Sequence, residues 1–408
     1  MPVKKKPVTL KREITLFLLV FYGLGNILGA GIYVLIGDIV KISGYFAPVS
    51  FIVACIVVFF TALSYAELSA RFPLSAGEAV YVKEGFGSDT LSLFIGLAIA
   101  LSGILSVATI VSGFYDYFVR FFDLPKFFVV FGVLVMLSLV AIWGIKESVR
   151  VAAALTFVEI SGLLMVIYVG ISYVPDTLDI SKIVPPFDLS VYNSIVLGAF
   201  LAFYAFIGFE DMVNVAQEVK DPAKTMPRAI LLVLLMSTLL YIGVAYVTVS
   251  VIPPSQLQES GAALALVYEK ATGQKATILS LIGMLAVING ALVQIIMVSR
   301  ILYGMSDKGW LPRFLASVHP KTHTPVNATI VTSMAIFLFI LLLPLLILAK
   351  YTSFVILVVF TVVNAALLRI KLKKGSQKGV GFVPLWVPMV AIVLNLAVLA
   401  VQIMHEVG

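Results

Sequence analysis

The run Phe21 to Gly37, FYGLGNILGAGIYVLIG, constrains the fold more than any other stretch. It is apolar enough to lie in a bilayer, yet it carries glycine at 23, 25, 29 and 31. That is poor material for an uninterrupted helix. A membrane helix that releases its hydrogen bonds at mid-depth is tolerated only where the freed N–H and C=O groups are buried in protein or line a cavity. The expectation is a broken helix whose exposed backbone holds a small polar substrate.

Similar apolar runs recur through almost all 408 residues, each about 20 residues long and so able to cross a hydrocarbon core of ~30 Å. Charged residues make up 12% of the chain, about half the share found in a soluble domain. Hydropathy places spans near 14–39, 42–70, 89–121, 125–145, 150–173, 190–217, 228–252, 276–303, 325–346, 349–370 and 383–404. The first follows a basic leader (Lys4, Lys5, Lys6, Lys11, Arg12) and is too long for a secretory signal, so it is expected to stay in the mature protein. With the N-terminus inside, about three-quarters of the 28 Lys and Arg residues fall in cytoplasmic segments. The positive-inside rule then fixes the orientation and places the C-terminus outside. The net charge of +7 is dispersed among these loops and forms no face for nucleic acid. Cys55 is the only cysteine, which excludes a disulfide framework. Two loops are expected to be structured: Arg71 to Gly87, and Pro253 to Lys275 with a short helix from Ala262 to Thr272.

The sixth span repeats the anomaly of the first. In GAFLAFYAFIGFEDMVNV, Gly208 is followed by Phe209, Glu210 and Asp211 within one apolar run. Interrupted segments at matching positions in two halves point to a transporter site built from inverted repeats. The fold class read here is an all-α polytopic membrane protein, a five-plus-five inverted repeat with discontinuous helices 1 and 6 and about eleven transmembrane helices. Residues 1–13 form a cytoplasmic leader, 14–173 the first repeat, 174–370 the second, and 371–408 a cytoplasmic loop with an extra helix.

Gly25 and Gly29 also form a GxxxG pair, for which close helix packing is the plain explanation. The run Gly29, Ala30, Gly31 favours a break instead, because its N–H groups at the positive end of the next half-helix suit a carboxylate. The first half of span six offers carbonyls that suit an ammonium, so a zwitterionic amino acid satisfies both ends. Phe203, Tyr204, Phe206 and Phe209 surround the second break; Phe206 and Phe209, flanking Ile207 and Gly208, are the candidates to cover a substrate. Glu210 either caps the second half-helix or touches the substrate, and both readings stay open. Glu159 lies about 13 Å into its span at 1.5 Å per residue, with no Lys or Arg in that span's interior. It is a candidate for proton coupling, against a structural hydrogen bond. Asn289 and Ser102 are polar at similar depth, where interhelical bonding competes with ligand contact. Glu67 and Arg71 form an i, i+4 pair. The histidines build no metal site, no Walker A sequence occurs, and no cofactor is expected beyond a proton gradient, with sodium as the alternative.

Four segments together resemble the amino acid, polyamine and organocation permease family: GNILGAGIYVLIG, ELSARFPLSAGEAVYVKEGFG, FYAFIGFEDMVNVAQEVKDPAKTMPRAI and SRILYGMSDKGWLPRFLASVHPKTHTPVNA. They occur in the family's order. The resemblance implies the leucine-transporter fold, substrate carboxylate at Gly29, Ala30 and Gly31, amino group near Phe206 to Gly208, and an aromatic gate at Phe206. Many similar chains carry lysine in span five where this one has Glu159, which inverts the charge. The stretch Ala286 to Gly290 lacks the hydroxyls that complete the sodium site in sodium-coupled relatives. The count of eleven spans departs from the usual twelve.

The chain is therefore expected to be a multi-pass cell-membrane transporter of amino acids, not an enzyme. It would work by alternating access with proton coupling through Glu159, as a monomer or homodimer. Sodium symport and amino acid exchange are alternatives within that class. A channel would need a continuous polar lining, and an intramembrane enzyme a convergent catalytic set; neither pattern occurs.

Overall fold

The computed structural model describes residues 10–28, 30–118, 122–174, 183–259, 263–342, 345–374 and 382–407. Among them no strand is formed, only an isolated parallel bridge between Ile14 and Val219. Helices are the required solution for apolar segments, because hydrocarbon offers no water to unpaired backbone groups. In the first predicted span the described residues on either side of residue 29 are helical, as α1 (Leu16–Leu28) and α2 (Ala30–Ser43), and α3 (Ala47–Arg71) follows. The loop after α3 contains α4 (Gly77–Phe86), closed by Gly87 at φ +74°, whose N–H donates to the Lys83 carbonyl. Then come α5 (Asp89–Phe118), α6 (Lys126–Trp143) and α7 (Ile145–Tyr173).

The sixth predicted span is α8 (Leu189–Ala205), a turn, and a 3₁₀ segment, Glu210–Glu218. Asp188 caps α8 by accepting the Ser190 N–H at 2.8 Å. The chain continues as α9 (Pro222–Val251), with proline in its first turn, the short α10 (Ala263–Thr272), α11 (Thr277–Asp307), α12 (Val326–Leu342), α13 (Leu345–Lys374) and α14 (Trp386–Val407). Eight stretches of the described residues are long and apolar enough to cross a membrane. Three shorter apolar helices, Leu16–Leu28, Val326–Leu342 and Trp386–Ala400, fall on the predicted first, ninth and eleventh spans.

Phe128, Leu139, Phe157 and Tyr168 are more than half exposed on the outside of the bundle, where lipid rather than water is their solvent. Inside it, α1 packs against α7, α9 and α11, α3 against α8 and α9, and α5 against α11 and α13. The start of α1 and the end of the second broken segment are tied together: Ile14 N–H donates to the Glu218 carbonyl at 3.0 Å and Lys220 N–H to the Ile14 carbonyl at 2.9 Å. Two buried groups of opposite charges fasten the helices. Glu67 and Arg71 form the predicted i, i+4 pair at 2.7 Å, and Glu67 also meets Lys371 at 2.7 Å and the Val383 N–H at 2.7 Å, holding α13 and the approach to α14 on α3. Arg300 and Glu218, both fully buried, meet at 3.0 Å.

Candidate functional site

The break in the sixth predicted span lies beside the end of α1. The chain leaves α8 through a tight turn in which Phe206 N–H donates to the Phe203 carbonyl at 3.0 Å and Ile207 N–H to the Tyr204 carbonyl at 3.1 Å. Gly208 follows at φ +129°, a conformation that residues with a Cβ rarely adopt. Glu210 accepts the Gly208 N–H at 2.8 Å on one oxygen, which satisfies a donor the broken helix leaves over. Its other oxygen is buried without a hydrogen-bond partner among the described residues, and the side chain lines a cavity. Glu210 thus accepts a hydrogen bond within the turn and also lines the cavity.

Asn26, two residues before the end of α1, joins that helix to the break. Its Nδ2 donates to the Gly208 carbonyl at 2.9 Å and to Asp211 Oδ2 at 2.6 Å. Gln294 of α11 donates to the same Asp211 oxygen at 3.0 Å and to Asn26 Oδ1 at 3.3 Å. The Asp211 carboxylate is thereby held by two carboxamides from different helices. Behind them, the Tyr241 hydroxyl of α9 lies 2.8 Å from the carbonyls of both Ile27 and Ala205. A phenol donates one proton, so it serves one of these two carbonyls at a time.

The cavity beside these groups has a volume of about 50 Å³. Its polar wall is Asn26, Glu210, Asp211 and Gln294, its hydroxyls come from Ser102, Ser106, Tyr204 and Thr352, and its apolar wall is Ile27, Ile110, Ile207 and Ile356. Of the sequence-predicted residues, Ser102, Ile207 and Glu210 line it, and Gly208 supplies the backbone joined to Asn26 and Glu210. Phe206 and Phe209 do not line it. Phe206 is fully buried against Tyr241 and Phe51, with ring centroids 5.1 and 6.4 Å away. Phe209 packs between Tyr65 and Phe360 at 5.6 and 5.5 Å. Tyr204, in the last turn of α8, is the aromatic that lines the cavity. Gly29 lies outside the described residues, as do the side-chain surroundings of Ala30 and Gly31; the latter two begin α2.

Glu159 and Asn289 meet on the other side of α1. Asn289 Nδ2 donates to Glu159 Oε1 at 2.8 Å and to Thr156 Oγ1 at 2.9 Å, and Thr156 donates to the Phe21 carbonyl at 3.0 Å. Glu159 is completely buried, and Tyr33 of α2 donates to its backbone carbonyl at 2.9 Å. Gly25 faces this cluster so closely that a Cβ there would collide with Thr156 Oγ1 and Asn289 Nδ2. The site residues that sequence reasoning did not single out are Asn26, Gln294, Tyr204, Tyr241 and Thr156. Asn26 carried the clearest signal, as the only polar side chain within the glycine-rich run before Tyr33 other than Tyr22.

Residues 14–408 match the family model described as amino acid permease. The branched-chain amino acid permease of Bacillus subtilis (strain 168) is 31% identical to the chain, over 90% of it and 82% of the relative. The methylthioribose transporter of the same organism is 28% identical over 96% and 87%. The vacuolar cationic amino acid transporter 4 of Arabidopsis thaliana is 28% identical over 79% and 57%. Among solved structures, a substrate-bound, outward-open Na⁺-coupled sialic acid symporter superposes with a TM-score of 0.62 over 96% of this chain and 90% of its own, at 14% identity. That likeness shows a shared transporter fold, the leucine-transporter fold.

Proposed function

Because the chain belongs to the amino acid permease family, we propose that it is a secondary transporter that carries amino acids by alternating access, with proton movement coupled through Glu159. The observation that carries this reading is the meeting of the end of α1 with the interrupted sixth span beside one polar cavity, joined by Asn26. Interrupted membrane helices beside a polar cavity are the setting in which transporters of this fold bind substrate. In the cell membrane, the distribution of Lys and Arg supports a cytoplasmic N-terminus.

The cargo is a neutral amino acid with an aliphatic side chain. Ile110, Ile207 and Ile356 supply an apolar wall. The branched-chain permease among the relatives is in keeping with this choice.

Glu159 supports the coupling role by its position: a buried carboxyl directly behind α1, with Oε2 unpartnered among the described residues. The unpartnered Asn289 Oδ1 nearby favours a second reading, an oxygen-lined sodium site. A panel of radiolabelled amino acids in proteoliposomes, with proton and sodium gradients imposed separately, tests all of this. Accumulation of leucine, isoleucine, valine or alanine driven by the proton gradient is expected. Absence of uptake for every amino acid overturns the transporter reading, preference for lysine or arginine overturns the cargo, and a response to sodium alone overturns the proton.

A further inference from the structure

The segment between α3 and α5 carries a titratable group that the cavity and the Glu159 cluster leave unused. Glu78, the second residue of α4, is 1% exposed although it lies between membrane spans. Its Oε1 has no hydrogen-bond partner among the described residues, and the same holds for the buried hydroxyls of Tyr65, Ser75 and Tyr81. These atoms are gathered by backbone packing. Asn214, on the 3₁₀ segment after the second break, accepts the Gly77 N–H at 3.0 Å, while a Cβ on Gly77 would stand 3.0 Å from the Tyr81 hydroxyl. Tyr65 and Tyr81 meet edge to face at 6.4 Å.

The row continues toward the cavity. Tyr65 also meets Phe209 edge to face at 5.6 Å, and the next residue, Glu210, has its own buried Oε1 without a partner among the described residues and lines the cavity. Buried polar atoms without partners are rare in folded proteins and call for a reason. Here several of them connect a substrate cavity with a carboxyl of α4.

We propose that Glu78 is a proton-binding site of the transport cycle, linked through Tyr65 to Glu210 at the cavity and set at the end of the bundle that the charge distribution assigns to the cytoplasm. The proposal rests on the proton-coupled reading above. The proton is held on the Glu78 carboxyl and returns to water when the α3–α4 loop opens.

Burial pushes the Glu78 carboxyl from 4.5 up to about 8, with the charge of Asp211 adding to the effect and the Glu78 N–H and the Asn214 amide opposing it. The titratable groups facing it are Tyr65 on α3, Tyr81 on α4, and Asp211 and Glu210 on the segment after the second break. Charges on the flanking helices are engaged elsewhere. Lys83 pairs with Asp89 at 2.6 Å, Arg369 of α13 covers the Phe86 ring, Lys373 of α13 reaches the Gly85 carbonyl, and Arg300 of α11 pairs with Glu218.

The test uses the full chain in proteoliposomes, with the amino acid panel above and internal pH stepped from 7 to 9, and the variant Glu78→Gln. A carboxyl titrating near 8 loses its proton roughly ten-fold over that step. Wild-type uptake is expected to change several-fold with internal pH, and E78Q to lose that response while retaining exchange at equal pH. Infrared spectra of the reconstituted proteins are expected to show a protonated-carboxyl band that disappears near pH 8 in wild type and is missing in E78Q. If E78Q does not fold, Glu78→Asp keeps the carboxyl and shortens its reach to Tyr65, so the midpoint moves. A wild type that carries no amino acid, or ignores pH, sinks the transport reading together with this one. A wild type that responds to pH beside an E78Q with the same profile and the same infrared band, or an E78D midpoint that stays put, overturns the Glu78 assignment alone.

Discussion

Tyr241→Phe removes one oxygen and keeps the ring in its contacts with Phe206 at 5.1 Å and Phe51 at 5.3 Å. The deleted hydroxyl is the shared donor for the Ile27 carbonyl near the end of α1 and the Ala205 carbonyl at the end of α8, both at 2.8 Å. Losing a buried donor and leaving its acceptor unpaired costs about 1–3 kcal/mol. Part of that loss falls on the geometry of the cavity, because the hydroxyl ties the end of α1 and the end of α8 to one point. If 1–2 kcal/mol of it is pre-organisation for substrate, KM rises about 5- to 30-fold, since 1.4 kcal/mol is a factor of ten.

Tyr22→Phe is the control. Tyr22 is equally buried and its hydroxyl donates to the Val293 carbonyl at 3.2 Å, without touching the second break. Thermal unfolding in detergent is expected to show comparable losses for the two variants, and uptake kinetics in proteoliposomes a raised KM for Y241F alone. Equal KM values in Y241F, Y22F and wild type would refute the reasoning and leave Tyr241 an ordinary core phenol.

Gly208→Ala forces a side chain onto φ +129° and brings its Cβ within 2.7 Å of Asn26 Nδ2; backbone strain of about 1–3 kcal/mol and loss of the Asn26 bridge are expected as a lower melting temperature and lost substrate binding, measured by scintillation proximity. Glu159→Gln keeps the hydrogen bond from Asn289 in shape but removes the titrating group, so counterflow exchange is expected to persist while proton-driven accumulation falls to the level of the equal-pH control. Glu78 has a pH signature in stability as well as in transport. Its carboxyl is raised from 4.5 to about 8, so between those values the folded chain holds a proton that the unfolded chain has lost. The stability it confers is complete below about 4.5 and disappears as pH rises through about 8. Melting temperatures of wild type are expected to fall over that window relative to those of E78Q, and parallel curves would contradict the assignment.

The spans were legible because the bilayer imposes helices of known length on apolar runs. The break in the sixth span was legible because glycine and adjacent acids are unfavourable in such a run. Which aromatic meets the cavity was not. Tyr204 and Phe206, two residues apart and so about 200° around a helix, face opposite ways, Tyr204 toward the cavity and Phe206 toward α3 and α9, and only the packing tells which face is which. Asn26 and Gln294 were hidden for a different reason. Single amides in apolar spans commonly serve helix packing, and only the convergence of α1, α11 and the second break on Asp211 distinguishes these two. Glu159 and Asn289 could be proposed separately from their depth, but their contact depends on how α7 and α11 cross.

Three consecutive residues of α1 connect these polar groups. Gly25 abuts Thr156 and Asn289 beside Glu159, Asn26 bonds to Gly208 and Asp211 at the cavity, and the Ile27 carbonyl meets Tyr241 of α9. Successive residues of a helix point about 100° apart, so the last turn of α1 is held from three directions at once. A shift of α1 large enough to change one contact must change the others, because close-packed interiors switch between arrangements rather than deform continuously. Gly25 makes that arrangement possible: any side chain there would push α1 off the Glu159 cluster and carry Asn26 away from the second break. The glycine at 25 and the amide at 26 therefore belong to one device, in which the hydrogen bonds around Glu159 and those around the cavity cannot be set independently.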